Sequence, residues 1–428
     1  MSENKPKQDA GKVFLEEVTG QSEETQRLKG WRKTGRTLVV PLLAIFTGLV
    51  FGAIFIVVTS EDVYAAFRVS FGTGMAAVWK TIIQSYQALF TGALGDPARI
   101  VAAFQSGNPI EIRRAVNPIL ESLVNATPYI FAGLAVALGF RSGLFNIGVE
   151  GQLFMGAAAA TAVGIFVKGL PQIIHAPLAF LAGALGGALW GFIPGWLKAK
   201  TGAHEVINTI MMNWIAFRLT EWLLSGPLTR PGSGGLPISP IIEKSAEIPQ
   251  FFPPPIRFHL GFFIALAFAY AVHWLLFKTT WGFDLRTVGA NPNAAKYAGM
   301  NITKNIVLAM TLSGALAGMA GANQILAVNR SMALGLSPGY GFDSIALALL
   351  GNSTPMGVVL ASLLFGALRN GATRMELLYI PNDIISIIQA LILAFVAAPA
   401  IIRTIYRIRV PKEAEEAVFT GSWGGGSK

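Results

Sequence analysis

The stretch Ala176–Leu197, APLAFLAGALGGALWGFIPGWL, contains no Asp, Glu, Lys or Arg and decides the fold class. An α-helix rises about 1.5 Å per residue, so about 20 apolar residues cross the roughly 30 Å hydrocarbon layer of a membrane. Lys198 and Lys200 follow the stretch at once. Because basic residues concentrate in cytoplasmic loops, the sequence predicts a spanning helix that ends on the cytoplasmic side.

The same stretch carries a glycine at every fourth position: Gly183, Gly187, Gly191 and Gly195. Residues four apart share one face of a helix, so these glycines form a ridge that lets another backbone approach closely. Gly314 and Gly318 repeat the spacing in a later apolar run. We interpret the ridge as internal helix packing, with a dimer contact as the alternative.

The composition of the whole chain is that of a membrane protein. Of its 428 residues 53% are hydrophobic and only 13% are charged, and the formal net charge is +10. The basic residues form no separate polar domain, so the charge does not indicate nucleic-acid binding. The absence of cysteine excludes disulfides, thiol nucleophiles and thiolate metal sites.

Other runs of spanning length complete the pattern: Leu38–Val58, Leu123–Phe140, Gly151–Val167, Val206–Leu224, Leu260–Phe277, Ile306–Asn329, Ser344–Leu368 and Ile384–Ile402. The run from Ser344 is broken at Gly351–Pro355 and predicts a short crossing, a tight cytoplasmic turn and a return helix. Arg218 and Glu221 are spaced to pair on one helix face, and ionisable residues in a span usually face the protein interior. The sequence therefore predicts an all-α, polytopic membrane protein of about ten transmembrane helices, with both termini in the cytoplasm.

The loops divide the chain further. We expect a cytoplasmic polar segment, a transmembrane domain with an external insert, an external loop and a cytoplasmic loop, and a cytoplasmic tail ending in a flexible or tag-derived Gly-Ser-rich stretch. Their bounds are 1–37 for the segment, 38–402 for the domain, 63–118 for the insert, 225–259 for the external loop, 281–304 for the cytoplasmic loop and 403–428 for the tail.

The cytoplasmic loop contains a short helix outside the membrane. Asn291 suits the N-cap, Pro292 the first helical position and Gly299 the left-handed position after the end. We expect its exposed residues to dock in a groove on another protein, although an ordinary connector remains open. The expected exposed residues are Ala294, Ala295, Tyr297 and Ala298.

Polar residues within the apolar sequence are candidates for a translocation pathway: Asn146, Glu150, Gln152, Glu205, Asn208, Asn213, Asn323, Gln324, Asp343 and Ser344. A water-filled path needs such residues, but helix-end charges and hydrogen bonds between helices produce the same pattern. The four histidines are scattered without metal-binding spacing, and no phosphate-binding loop occurs. Gly335–Gly339 matches the sequence pattern of a hydrolase nucleophile elbow. It cannot act as one, because Pro338 has no backbone N–H for an oxyanion hole. We therefore expect no catalytic residues, metal or cofactor.

Four stretches together resemble the permease subunits of bacterial ATP-binding-cassette (ABC) importers, in the branch for ribose and other simple sugars and most closely for nucleosides. They are GLFNIGVEGQLFMG (Gly143–Gly156), HEVINTIMMNWIA (His204–Ala216), GANPNAAKYAG (Gly289–Gly299) and GFDSIALALLGNSTPMGVVLASLLFGALRNG (Gly341–Gly371). The resemblance implies a type II-like, ten-helix permease of the bacterial cytoplasmic membrane, surrounded by membrane lipids.

The resemblance also implies partners. These are a second permease subunit of a different chain, a cytoplasmic ABC ATPase and an extracytoplasmic solute-binding protein or lipoprotein. Gly289–Gly299, with Ala290, would be the coupling helix that docks on the ATPase. The insert at 63–118 looks like that of the larger nucleoside permease subunit.

The predicted mechanism is alternating access driven by ATP hydrolysis on the partner. Three alternatives are a branched-chain amino acid permease, a membrane-embedded enzyme and an autonomous secondary transporter. A secondary transporter should carry ionisable residues at mid-depth to bind its coupling ion. Glu150 and Glu205 instead lie near predicted cytoplasmic ends, which favours the ABC permease.

Overall fold

The computed structural model describes residues 31–377, 380 and 382–407, most of them helical. The α-helices are α1 Trp31–Thr59, α2 Glu61–Val69, α3 Phe71–Leu94, α4 Pro97–Ser106, α5 Pro109–Arg141, α6 Val149–Phe166, α7 Gln172–Thr201, α8 Glu205–Ser225, α9 Gly261–Lys278, α10 Thr280–Ala290, α11 Pro292–Tyr297, α12 Ile302–Asn323, α13 Tyr340–Leu350, α14 Pro355–Glu376, α15 Asn382–Ala397 and α16 Pro399–Ile405. A 3-10 turn, Lys244–Ala246, precedes α9, and a π-helical turn, Gln324–Asn329, continues α12. The predictions for the first 30 residues and for the tail from residue 408 fall outside the described residues.

The predicted all-α membrane fold is confirmed. Within the described residues, seven helical stretches are long and apolar enough to cross a membrane: Leu42–Thr59, Pro109–Arg141, Val149–Phe166, Gln172–Thr201, Gly261–Lys278, Ile302–Asn329 and Pro355–Glu376. Helices α8, α13 and α15 coincide with the three remaining predicted crossings. The chain divides into two compact units, Gly52–Gln389 and a smaller one from Met1–Phe51 and Ala390–Lys428.

The broken run from Ser344 forms two helices, as predicted. Helix α13 ends at Leu350, and Asn352 and Ser353 adopt positive φ angles of 50° and 49° in the turn. Thr354 then caps α14, because its side chain accepts a hydrogen bond from the Gly357 N–H.

The glycine ridge of α7 packs inside the larger unit, against α12. A Cβ atom on Gly187 would lie 2.6 Å from the Gly318 Cα, and a Cβ on Gly191 would lie 3.0 Å from the Gly314 Cα. Real Cβ atoms essentially never lie closer than 3.0 Å to another heavy atom and rarely lie at 3.0 Å, so the helices meet at this distance because the ridge lacks side chains. The internal-packing interpretation is confirmed.

The predicted external insert differs from the expectation in one respect. It contains α2, α3 and α4, but α5 already begins at Pro109 rather than at Leu123. Asn108 caps α5, and its side chain accepts a hydrogen bond from the Ile110 N–H. The polar first turns concealed the helix start, because a search for apolar runs finds only the part of a helix that suits lipid.

The pair on α8 forms as predicted, with 2.7 Å between the Arg218 Nη1 and the Glu221 Oε2. The expectation that this pair faces the protein interior is wrong for this chain. The Arg218 side chain is 75% exposed, so the pair lies on an outer face of the unit and not in its interior.

The predicted cytoplasmic loops meet at one end of the larger unit, which we name the coupling end. Arg141, at the end of α5, donates hydrogen bonds to the carbonyl oxygens of Ser353 (3.0 Å) and Asn352 (2.9 Å). The Gly289 backbone, at the end of α10, touches the backbone of Gly143. The α5–α6 connection, the α13–α14 turn and the end of α10 are therefore neighbours.

The predicted external segments meet in the first half of α5. The Ser122 hydroxyl donates to the Ala93 carbonyl oxygen at 2.7 Å, which joins α5 to the insert. Arg257, in the loop before α9, forms an ion pair with Glu121. Glu121 and Arg141 are about 30 Å apart along α5 at 1.5 Å per residue, which is the thickness of the hydrocarbon layer. We refer to this region as the insert end.

In the smaller unit, Thr47 and Tyr406 form a hydroxyl–hydroxyl hydrogen bond of 3.0 Å. The rings of Phe51 and Phe395 lie 5.5 Å apart. Both contacts join α1 to the C-terminal helices of that unit.

Candidate functional site

Asn146 and Gln152 lie together in the interior of the larger unit. The two side-chain amides form hydrogen bonds of 2.9 and 3.2 Å, and the Asn146 amide also donates to the Ser313 hydroxyl at 2.9 Å. Ser313 in turn donates to the Ala135 carbonyl oxygen at 2.7 Å. These contacts fix the connection between α5 and α6 against α12, so the first turn of α6 lies inside the protein.

Glu150 stands on the same first turn of α6 and is 2% exposed. Its Oε2 accepts a hydrogen bond of 2.5 Å from the Gly341 N–H, at the start of α13. Gly341 is needed there, because a Cβ would lie 2.6 Å from the Glu150 Cα. Placing a carboxylate at the N-terminus of α13 is electrostatically favourable, since the helix dipole is positive there.

Asp343 and Gln324 join this region through two tyrosines. The Tyr129 hydroxyl donates to the Asp343 Oδ2 at 2.8 Å, and the ring of Tyr129 packs edge-on against Tyr340 at 4.9 Å. The Gln324 side chain interacts with the Tyr340 hydroxyl. Helices α5, α6, α12 with its π-helical turn, and α13 therefore contribute to one buried polar cluster, in which only Asp343 is half-buried. Its members are Tyr129, Asn146, Glu150, Gln152, Ser313, Gln324, Tyr340 and Asp343.

Asn323 and Ser344 are buried next to this cluster. The Ser344 hydroxyl donates to the Tyr340 carbonyl oxygen at 2.6 Å. Asn323 is 0% exposed, and neither its amide nitrogen nor its amide oxygen has a hydrogen-bond partner in the described part of the chain.

The three candidates on α8 are not members of the cluster, although Asn213 binds the turn of α6 that carries Glu150 and Gln152. Glu205 forms an ion pair with Lys198, with 2.6 Å between Oε2 and Nζ, at the junction of α7 and α8. Asn213 accepts from the Gly151 N–H at 2.8 Å and donates to the Ile147 carbonyl oxygen at 3.0 Å, which holds α8 against the start of α6. Asn208 is half-buried, and its amide nitrogen has no partner among the described residues.

The short helix of the predicted cytoplasmic loop forms where the sequence places it. The Asn291 side chain accepts from the Ala294 N–H at 3.0 Å, Pro292 is the first helical residue, and Gly299 has a φ of 79°. Tyr297 is 95% exposed.

One expectation for this helix was wrong. Ala295 is fully buried and faces the rest of the protein, whereas its neighbours Ala294 and Ala298 are exposed. A six-residue helix is too short for its composition to show which face is buried. The surface available to a partner is therefore centred on Tyr297.

A permease family matches residues 118–397, well over half of the chain. That family is described as the permease component of branched-chain amino acid transport systems. The chain belongs to this family.

Curated relatives place the permease among ABC transporter subunits. It is 41% identical over 374 residues to the guanosine ABC transporter permease protein NupP of Bacillus subtilis, covering 86% of this chain and 94% of that protein. It is 37% identical over 287 residues to the glucose ABC transporter permease protein TsgB13 of Haloferax volcanii, covering 65% of this chain and 75% of that protein. With the nucleoside ABC transporter permease protein NupB of Lactococcus lactis it shares 29% over 384 residues, 88% of this chain and 94% of that protein. No solved structure matches the permease.

These matches identify the permease as a transport subunit of an ABC importer. The family match begins at residue 118, so α2 to α4 lie before it. NupP and NupB align with 86% and 88% of the chain. Two further relatives, the nucleoside ABC transporter permease protein NupC of Lactococcus lactis and the guanosine ABC transporter permease protein NupQ of Bacillus subtilis, align with 58% and 57%. Each of the two species thus has one permease that is similar to this chain over most of its length and one that is similar over a shorter part.

Sequence reasoning missed three residues of the buried site: Tyr129, Ser313 and Tyr340. A hydroxyl inside or next to an apolar run was the available signal, because a buried hydroxyl needs a hydrogen-bond partner. The search for amides and carboxylates alone did not use that signal.

Proposed function

We propose that the permease forms the path for a nucleoside across the cytoplasmic membrane of a bacterium. The observation that carries this proposal is the 41% identity to a guanosine permease over 86% of the chain. The buried polar cluster supports it, since amides, hydroxyls and tyrosine rings can contact the polar edges and faces of a nucleoside.

A simple sugar is the second candidate, favoured by the 37% identity to a glucose permease. The family description keeps branched-chain amino acids as a third. The test is ATP-dependent uptake into proteoliposomes that contain the permease with its co-expressed transport partners, using radiolabelled guanosine, glucose and leucine. Guanosine uptake is expected, and uptake of glucose or leucine alone would assign the path to that solute.

The proposed assembly contains a second, different permease. Bacillus subtilis and Lactococcus lactis each have two permeases similar to this chain, NupP with NupQ and NupB with NupC. We infer a cytoplasmic ABC ATPase and an extracytoplasmic solute-binding protein as the further partners, because an ABC permease carries no ATPase site of its own.

We propose that α11 is the coupling helix. Buried Ala295 anchors it to the protein, while Tyr297 projects almost fully into solvent, as a residue that fills a groove on an ATPase should. The domain bounds and the cytoplasmic position of both termini are part of the same proposal.

The contacts suggest how movement of α11 reaches the path. Gly289 lies at the end of α10, directly before α11, and its backbone touches Ser142 and Gly143. The chain then leads through Asn146 to Glu150 on the first turn of α6. Displacement of α11 by the ATPase would shift this turn and so open or close the polar cluster.

A further inference from the structure

His259 and Asn323 are two buried side chains that meet across Gly261. Both are 0% exposed, and none of their four polar side-chain atoms has a hydrogen-bond partner in the described part of the chain. A Cβ on Gly261 would collide with the Asn323 Oδ1 and would lie 2.7 Å from the His259 Nδ1. The glycine therefore leaves room for the two side chains to converge on one small volume.

This arrangement costs stability. A buried polar group without a partner destabilises the folded state, so an apolar pair such as Phe and Leu would give a more stable protein. Native proteins satisfy nearly all buried polar groups, and two exceptions in contact with one glycine call for a functional explanation.

The local backbone supports a functional role. Asn323 is the last residue of α12, and the π-helical turn Gln324–Asn329 begins directly after it. Such turns are rare and are frequent at functional sites. The segment before α9 covers this turn, because the Ile248 N–H donates to the Leu326 carbonyl oxygen and the Gln250 amide to the Ala327 carbonyl oxygen.

We propose that His259 and Asn323 form a hydrogen-bonding subsite for the uncharged polar edge of the transported solute. The inference rests on the proposed function. Gln324, a member of the polar cluster, directly follows Asn323, so the subsite would extend the path from the cluster toward the insert end.

The chemistry of the two groups defines the ligand. A neutral imidazole offers one donor and one acceptor, and a carboxamide offers both, which matches a nucleobase edge or a pair of sugar hydroxyls. Burial, with a smaller contribution from Arg257, lowers the pKa of His259 to about 4, so the imidazole is neutral at physiological pH. A site of neutral groups would accept a nucleoside and disfavour its phosphorylated forms, whose charge it cannot pair.

Asn323→Leu tests the subsite in the reconstituted transport complex, with guanosine and ribose as probes. Removal of an unpartnered polar group should raise the Tm, while loss of the solute contact should raise the KM for uptake about 10-fold, the effect of one lost hydrogen bond of about 1.4 kcal/mol. A KM change for guanosine and not for ribose assigns the contact to the base, and equal changes assign it to the sugar.

Asn213→Leu is the matched control for the Tm, because Asn213 is also buried but its amide oxygen and nitrogen each have a hydrogen-bond partner, so its loss should lower the Tm. His259→Phe is the second variant and should raise the KM in the same way. A lower Tm in Asn323→Leu, or a KM unchanged in both variants while the wild type transports, overturns the subsite. A wild-type complex that transports none of the probes overturns the proposed function, and with it the subsite as a solute contact.

Discussion

His259 is a residue whose protonation the folded chain opposes. Its ordinary pKa of 6.5 falls to about 4, mainly because the imidazole is buried and secondarily because Arg257 is nearby. Between about pH 6.5 and 4 the unfolded chain therefore holds more protons than the folded chain, and the free energy of unfolding decreases as the pH falls. Above about pH 6.5 both states are neutral at this position, and the contribution is constant.

The expected outcome is a Tm that decreases between pH 7 and pH 5 more steeply for the wild type than for His259→Phe. Tryptophan fluorescence during heating in detergent measures both curves. Other groups titrate equally in both proteins, so the difference between the curves reports His259. Parallel curves would mean that His259 is accessible to protons in the folded state.

Ala295 and Tyr297 show what residue patterns could and could not predict at the site. The caps of α11 follow from Asn291, Pro292 and Gly299, because each residue suits one backbone position. The buried side of α11 depends on contacts with neighbouring helices, which no local pattern encodes. For the same reason the sequence selected Gln324 and Asp343 as polar but could not show that Tyr129 and Tyr340 join them.

At the scale of one element, α11 makes the coupling proposal testable. Tyr297 is 95% exposed, so Tyr297→Ala should leave the Tm unchanged but weaken ATPase binding about 30-fold, the effect of losing a contact of about 2 kcal/mol at the centre of an interface. Tyr270→Ala is the control, since Tyr270 on α9 is 72% exposed and lies outside α11. Co-purification of the ATPase and solute-stimulated ATP hydrolysis measure the effect. Equal ATPase binding by both variants would remove α11 from the interface.

Helices α7 and α12 provide a second test at this scale. Gly187→Ala places a methyl group against the α12 backbone and should destabilise the permease by about 1–3 kcal/mol, as overpacking does. Gly72→Ala is the matched control, because its methyl group would meet only the Ser70 hydroxyl at 4.0 Å. The measured quantity is the Tm of each variant in detergent. A Gly187→Ala protein as stable as Gly72→Ala would mean that the two helices can separate freely.

The elements themselves were predictable to different degrees. All nine apolar runs became helices, and the broken run from Ser344 became two, because lipid leaves the backbone few alternatives. Helix α10 was missed, since Thr280–Ala290 is polar and outside the constraint that lipid imposes. The π-helical turn after Asn323 was missed as well, because it depends on how the segment before α9 packs against it.

In the larger unit as a whole, the predicted cytoplasmic connections lie at one end and the predicted external segments at the other. This separation is the structural basis for the proposed topology. Loops with basic flanks meet at the coupling end, where Arg141 binds the α13–α14 turn. The insert and the long loop before α9 meet at the insert end, through Ser122 and Arg257. Arg369 and Arg374 near the end of α14 run against the positive-inside rule, so charge alone could not have settled this topology.

Labelling of single cysteines determines the sidedness directly, and the chain suits it because it contains no cysteine of its own. Lys200→Cys, Leu236→Cys and Gln105→Cys each replace an exposed residue, at the end of α7, in the loop before α9 and in α4. In intact cells a membrane-impermeant maleimide should label positions 105 and 236 but not 200. Position 200 should react only after the membrane is opened, since a charged reagent cannot cross the hydrocarbon layer. Labelling of position 200 in intact cells would invert the topology and place α11 outside the cell, where no ATPase could reach it.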